Sequence, residues 1–175
     1  NFFLILELVK NHVMDNRAVV GGIFISRGSG VRLLSMVKQE HQQQLCHLKS
    51  IPGLGDKTAA LLIVLTDGFT KFETASQLCS FAGTTPTIRK SGSSVRGRSR
   101  ISKMGNQKLR NLLFLCAFSA CKYNKACRQI YERIVAQGKS KKLALIAVVN
   151  KLIRQAFAIA KSGLSYHENY VSKLN

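Results

Sequence analysis

The chain has 175 residues, enough for one domain with a sizeable core or for one domain with an appendage, and its 46% apolar content argues against an unfolded polymer. Lys plus Arg number 27 against 8 acids, a formal charge of +19. Such an excess repels itself unless an anionic partner neutralises it, which puts nucleic acid first among partners and an anionic membrane surface second.

Residues 1–31 form an N-terminal remnant that is hard to read. An apolar start, NFFLILELVKNHV, leads into VVGGIFISRGSG, whose four glycines argue against a continuous helix. The start has no basic region followed by a small-residue cleavage site, and no initiator Met, so the chain is expected to be a piece of something longer. The apolar runs at 2–9 and 111–121 are too short to span a bilayer, and no membrane partner is expected. A lead helix is predicted over 32–50, with Leu33, Leu34, Val37, His41, Leu45 and Leu48 near one face.

Next comes LKSIPGLGDKTAALLI (48–63), which fits a helix-hairpin-helix element expected over 48–66. Gly53 and Gly55 allow a tight turn without a Cβ clash. The turn delivers free N–H groups at a helix start, where the dipole also favours an anion. Leu54 is expected to plug the space between the helices, and Ala59 to let them approach. Lys57 adds charge at the phosphate, which Asp56 slightly opposes. A plain helical hairpin with a glycine turn is the alternative. A hairpin of this kind reads nucleic-acid backbone rather than sequence.

A short apolar helix over 57–65 should end through Gly68. Thr74 and Gln77 form a capping-box pattern ahead of a helix that Gly83 closes. Then the chain turns basic. Residues 86–110 hold Arg89, Lys90, Arg96, Arg98, Arg100, Lys103, Lys108 and Arg110 with no acid. If about five of them contact phosphates, the log–log salt slope of binding is on the order of −4 to −5. The serine-rich loop at 86–106 has no aromatic residue, so base stacking is not its main mode. It offers guanidinium groups to stabilise a pentacovalent phosphorane. It offers no His or carboxylate as a base, so composition alone leaves open whether any of its serines is a nucleophile.

A helical bundle is predicted over 106–162. Its first helix, LLFLCAFSAC, is apolar on all sides and should be the buried centre. ACRQIYERIVAQ is amphipathic, with Ala126, Ile130, Tyr131 and Ile134 inward. Ser140 can cap a long final helix that Gly163 ends, and 167–175 is a tail. The five cysteines show no C-x-x-C pair and the four histidines are scattered, so buried free thiols in a reducing compartment are expected, and no metal site. The fold class is mainly α: a helix-hairpin-helix and a C-terminal bundle, with a long basic Gly/Ser-rich loop or short β-hairpin inserted.

The order SIPGLGDKTAALL, FETASQLCSFAGTTP, SG-x-S-x-RG-x-x-RISKMGN-x-x-LR and NKACRQIYERIVAQGKSKKLALIAVVNKLIR resembles the C-terminal transposase domain of the insertion-sequence-110/116/902 type transposases. The resemblance is collinear over about 48–166, and 51–166 is expected to be that domain. It implies a cytoplasmic, nucleoid-associated recombinase of bacterial or archaeal type. Such an enzyme is guided by a structured RNA, assembles as a homo-oligomer on DNA, and cuts and rejoins DNA. By position in SG-x-S-x-RG, the serine that becomes joined to DNA maps to Ser91, with Ser93 and Ser94 as fallbacks. Arg96, Arg98, Arg100 and Lys103 would hold the scissile and flanking phosphates.

Family members also carry a RuvC-like domain whose acidic residues hold Mg²⁺. That set has no counterpart here: the acids are Glu7, Asp15, Glu40, Asp56, Asp67, Glu73, Glu132 and Glu168, spread singly. No cofactor is expected within this chain, and Mg²⁺ belongs to the missing acidic domain. Alone, the chain should bind DNA with little or no strand transfer. Two competing readings are a non-enzymatic helix-hairpin-helix module for branched or bent DNA, and an RNA-binding partner.

Overall fold

The computed structural model describes residues 41–87, 90–91, 95–96, 100–102 and 104–168. The element order is α1 (Gln42–Lys49), α2 (Asp56–Thr66), α3 (Ala75–Ala82), β1 (Pro86–Thr87), β2 (Lys90–Ser91), β3 (Val95–Arg96), β4 (Arg100–Ile101), α4 (Gln107–Tyr123), α5 (Lys125–Ala136) and α6 (Lys141–Ser162). The fold is mainly α, as expected. Residues 1–31, and the part of the lead helix expected before His41, lie outside the described residues.

Helix α6 is the hub. It packs on α1, α3, α4 and α5. It is long and apolar enough to cross a membrane by length and composition alone, although no single uninterrupted apolar run in the sequence has that length. Its apolar side is spent on the core instead: Ala144, Leu145, Val148, Val149, Leu152, Ile153, Ala156 and Ile159 are all buried. All of these except Ala144 meet Leu48 and Ile51, Leu62 and Ile63, Leu78, and Leu109 and Leu113 in one cluster. Burying each such Leu, Ile or Val contributes about 1.5–3 kcal/mol, so this one helix anchors much of the domain.

The element ends follow the local chemistry. Thr74 accepts from the Gln77 N–H while Gln77 Oε1 accepts from the Thr74 N–H, the reciprocal capping box expected for α3. Helix α2 ends in three successive left-handed residues, Asp67, Gly68 and Phe69. A Phe tolerates that backbone because its ring is fully buried against Phe157 and its N–H bonds Thr66 Oγ1 at 3.0 Å. Asn124 serves two helices: its N–H closes α4 on the Ala120 carbonyl, and its Oδ1 caps α5 through the Cys127 N–H.

One expectation fails. Helix α4 is not buried on all sides. Leu109, Leu113, Ala117 and Ala120 face the core, but Leu115 is 63% and Phe118 49% exposed. The apolar run is wider than the surface that α2, α3, α5 and α6 cover, so its second face is left to solvent and to the turn described next.

Candidate nucleic-acid interface

The turn between α1 and α2 is built by Ile51-Pro52-Gly53-Leu54. The Leu54 N–H bonds the Ile51 carbonyl at 3.1 Å, and Gly53 has φ +97°. Pro at the second position and a positive φ at the third are the demands of a type II turn, which is why the sequence reads Pro-Gly there. Gly53 answers to a second constraint as well. A Cβ on it would lie 2.6 Å from the backbone N and Cα of Ala120, so the turn sits backbone to backbone on α4. Leu54 and Ala59 are buried at the helix junction.

Gly55 is the N-cap of α2, with an ordinary φ of −82°. Its carbonyl takes the N–H groups of Thr58 and Ala59, both at 3.0 Å. The N–H groups of Asp56 and Lys57 precede those bonds and belong to the helix's open end. A Cβ on Gly55 would meet nothing within 4 Å. This end opens into a groove of about 550 Å³, with Gly55, Lys57 and Thr58 on one wall and Leu112, Leu115 and Cys116 on the other. Asp56, which on sequence grounds opposes an anion here, pairs with Lys49 at 3.1 Å. Lys49 was not singled out from sequence, since only the folded turn brings it across to Asp56. Both partners are about half exposed, so the pair stabilises little and serves mainly to cancel the acid's charge.

The basic segment leaves the domain through a clamped root. The Asn106 N–H donates to the Phe81 carbonyl at 2.9 Å, and Arg110 Nη1 to the Ala82 carbonyl at 3.0 Å. Gly105, at φ +140°, lies so close that a Cβ would sit 2.3 Å from the Phe81 carbonyl oxygen. On the other side, the buried Thr84 hydroxyl lies 2.5 Å from Asn150 Oδ1 and 3.1 Å from the Cys79 carbonyl. Asn150 lies on α6, far from Thr84 in sequence, and no sequence signal marked it. Beyond the root, β1 and β4 pair antiparallel with Pro86 opposite Ile101 and Thr87 opposite Arg100. A second pair follows: Lys90 opposite Arg96 and Ser91 opposite Val95 in β2 and β3. The described residues of the insertion thus form two short antiparallel strand pairs, together called the arm.

Of the residues singled out from sequence, Ser91, Lys90 and Arg96 are placed on these strands, and Arg100 is exposed on β4. Lys108 stands in the first turn of α4, where burial lowers its ammonium pKa. Arg110 is engaged with the Ala82 carbonyl at the root. Arg89, Ser93, Ser94, Arg98 and Lys103 lie outside the described residues. Gly53, Gly55 and Lys57 form the elbow. Elbow and arm share one support: Gly53 rests on Ala120 of α4, and the arm's return strand enters α4 at Asn106. At 1.5 Å rise per residue, those two points are about 20 Å apart along the helix.

The cysteines are free thiols. Cys79 and Cys127 are buried as expected, Cys116 and Cys121 are half-buried, and Cys46 is exposed. Burial, helped by neighbouring Cys121 and opposed by Lys151, pushes the Cys127 pKa from 9.0 up to about 12. Burial also raises Cys79, against the pull of Arg154 and a Thr84 hydrogen bond. Iodoacetamide at pH 8 is therefore expected to label Cys46 in the folded protein and to reach Cys127 only after denaturation, as mass spectrometry would show. The unfolded Cys127 thiol loses its proton first, so its contribution is intact below pH 9 and erodes between pH 9 and 12, by at most about 1.4 kcal/mol per pH unit. Urea melts at pH 8 and above pH 10 measure that loss.

Residues 46–132, from α1 into α5, match the model of the Transposase IS116/IS110/IS902 family. The chain is 38% identical over 119 residues to the IS110 insertion element's uncharacterized 43.6 kDa protein from Streptomyces coelicolor, covering 68% of this chain and 29% of that protein. It is 37% identical over 117 residues to a pilin gene-inverting protein of Moraxella lacunata (65% and 36% covered). The corresponding protein of Moraxella bovis is 34% identical over 116 residues, with the same coverage. The chain thus spans about a third of the length of these relatives. Elbow, arm and the start of the bundle all fall within the matched residues, and the chain belongs to the IS116/IS110/IS902 transposase family, of which it carries a transposase domain.

Proposed function

We propose that this chain is the DNA-handling part of a recombinase that cuts and rejoins DNA through a serine. The elbow holds one phosphate on the open start of α2, and the arm holds others with its basic residues. Ser91 Oγ attacks the scissile phosphorus, the sugar oxygen leaves, and a seryl phosphodiester forms. The bond energy is kept, so the reverse attack by a sugar oxygen rejoins the strand without ATP. The arm's residues 86–106 include no base to take the serine proton, so the base comes from outside the arm. That fits a partner domain of RuvC-like, acidic type in the longer protein. Among the described residues no group of three or more His, Cys, Asp or Glu could hold a metal ion. A structured guide RNA and assembly of several copies on DNA complete the reading.

One observation carries it: an acid-free arm and a glycine-built elbow stand on the same helix, about 20 Å apart. At 3.4 Å per step, that is roughly six base pairs of one backbone. Relatives named as an insertion-element protein and as pilin gene-inverting proteins add the recombination chemistry.

Gly55→Asp tests the elbow. An Asp N-cap suits the extended backbone there and satisfies the open N–H groups, so stability should hold or rise by about 0.5 kcal/mol. The same carboxylate occupies the anion site. Duplex affinity should fall roughly tenfold or more, with a salt slope shallower by about one. Parent-like binding by a stable Gly55→Asp protein would show that the elbow holds no phosphate.

A further inference from the structure

Helix α6 ends at Gly163, and the chain then doubles back toward the elbow. The Tyr166 N–H donates to Ser50 Oγ at 2.7 Å, and the Ser50 hydroxyl donates to the His47 carbonyl at 2.6 Å. Ser50 is the C-cap of α1, directly before the turn that opens the elbow. Its hydroxyl both donates to α1 and accepts from a segment 116 residues away. The Tyr166 phenol reaches the other way and donates to Asn124 Oδ1 at 3.3 Å. Asn124 is buried at the α4–α5 joint and is itself fixed by Gln155 Oε1 at 3.1 Å. Tyr166 therefore ties the start of the elbow to the end of the helix on which Gly53 rests.

We propose that residues 164–168 are a strap that sets the elbow, and that Tyr166 and Ser50 are positioning residues for its grip on a nucleic-acid phosphate. The proposal rests on the elbow reading above. Three contacts locate the elbow on α4. Gly53 packs on Ala120, Thr58 Oγ1 lies 3.3 Å from Cys116 Sγ, and one turn beyond Ala120, Ser50 connects through Tyr166 to Asn124. The last is the contact that fixes the Ser50 side of the turn, and without it that side can tilt relative to α4. Backbone N–H groups that bind a phosphate have no rotamer with which to compensate, so a tilt of the α2 start misplaces them together. Binding sites of this kind need placement within about 0.5 Å. Burial keeps the Tyr166 phenol protonated to a higher pH than usual, so it remains a donor. Tyr166 lies beyond the residues matched by the family model, which end at 132.

The test uses the full chain and a short fluorescent DNA duplex across a salt series. Ser50→Ala removes the acceptor of the strap's N–H. Affinity should fall two- to tenfold, the worth of about one hydrogen bond, and the salt slope should become shallower by about one. Ser50→Thr keeps the hydroxyl and should restore both. A merely structural role would lower Tm yet leave the slope of the folded protein unchanged. Parent-like affinity and slope in Ser50→Ala overturn the strap. Should that variant fail to fold, Tyr166→Phe decides in its place, since it keeps the Ser50 bond and loses only the bond to Asn124. It should shift the slope in the same direction, and parent-like behaviour overturns the strap. Gly55→Asp separates the two ideas. If it binds normally, the elbow reading falls and takes the strap with it. If it binds weakly while the deciding strap variant binds normally, only the strap falls.

Discussion

Gly53→Ala is expected to cost the domain about 3–5 kcal/mol, from a left-handed backbone penalty of about 1–2 kcal/mol and overpacking of about 1–3. The overpacking term belongs at the top of its range because of what the new methyl would strike. The atoms 2.6 Å away are the backbone N and Cα of Ala120, in the last turn of a helix that carries Leu113 and Ala117 into the core and that Asn124 caps. A side chain can rotate aside, but a helix backbone cannot. For a chain of this size, that loss lowers Tm by roughly 6–20 °C. Ala120→Gly should rescue little, since it removes only the Cβ that would stand 2.8 Å from the new methyl and leaves the two backbone atoms in place. Thermal or urea melts decide the matter, and a cost below about 1 kcal/mol would mean that the elbow does not sit on α4 as described. The contrast with Gly55 is the useful part. Two glycines one residue apart answer to different demands, one to packing and the other to open space. Only the second isolates binding from folding.

How much of this was legible in the sequence depended on the range of the interactions. Local chemistry could be read directly. Thr74 with Gln77, the cap Ser140, and the stop at Gly163 each involve groups within a turn of one another. Gly53 marked the turn correctly, but the same demand placed on Gly55 did not hold: its φ is −82° and a Cβ there would meet nothing within 4 Å. Contacts across the fold could not be read. Nothing near Asn150 says that it will grip Thr84 at the arm's root, 66 positions earlier, nor does anything near Tyr166 point to Ser50. Arg110 shows the same limit from the other side. Its charge reads as a phosphate ligand, but its place in the first turn of α4 brings it to the last carbonyls of α3. The apolar run of α4 misled for a third reason. Composition reports how much of a helix is apolar, whereas burial depends on how many neighbours the fold supplies.

Ser91→Ala is expected to abolish the covalent protein–DNA adduct while leaving DNA affinity within about twofold. The substitution removes one oxygen from a residue whose backbone is already paired with Val95, so the arm's shape and its basic residues persist. Phosphate grip is a sum over many cations, and a single neutral hydroxyl contributes little to it. Under the proposed mechanism the chemistry depends on that one atom, and losing a nucleophile typically costs about a thousandfold or more. The assay supplies the chain with a RuvC-like acidic domain, a structured guide RNA and labelled DNA, then looks for a denaturant-resistant protein–DNA band. Ser93→Ala and Ser94→Ala should keep that band. If one of them loses it while Ser91→Ala keeps it, the nucleophile sits two or three residues further along the arm. If all three single variants and the triple variant keep it at parent yield, no serine of this cluster is the nucleophile. The arm is then a grip alone, and the chain's role reduces to holding the backbone for chemistry done elsewhere.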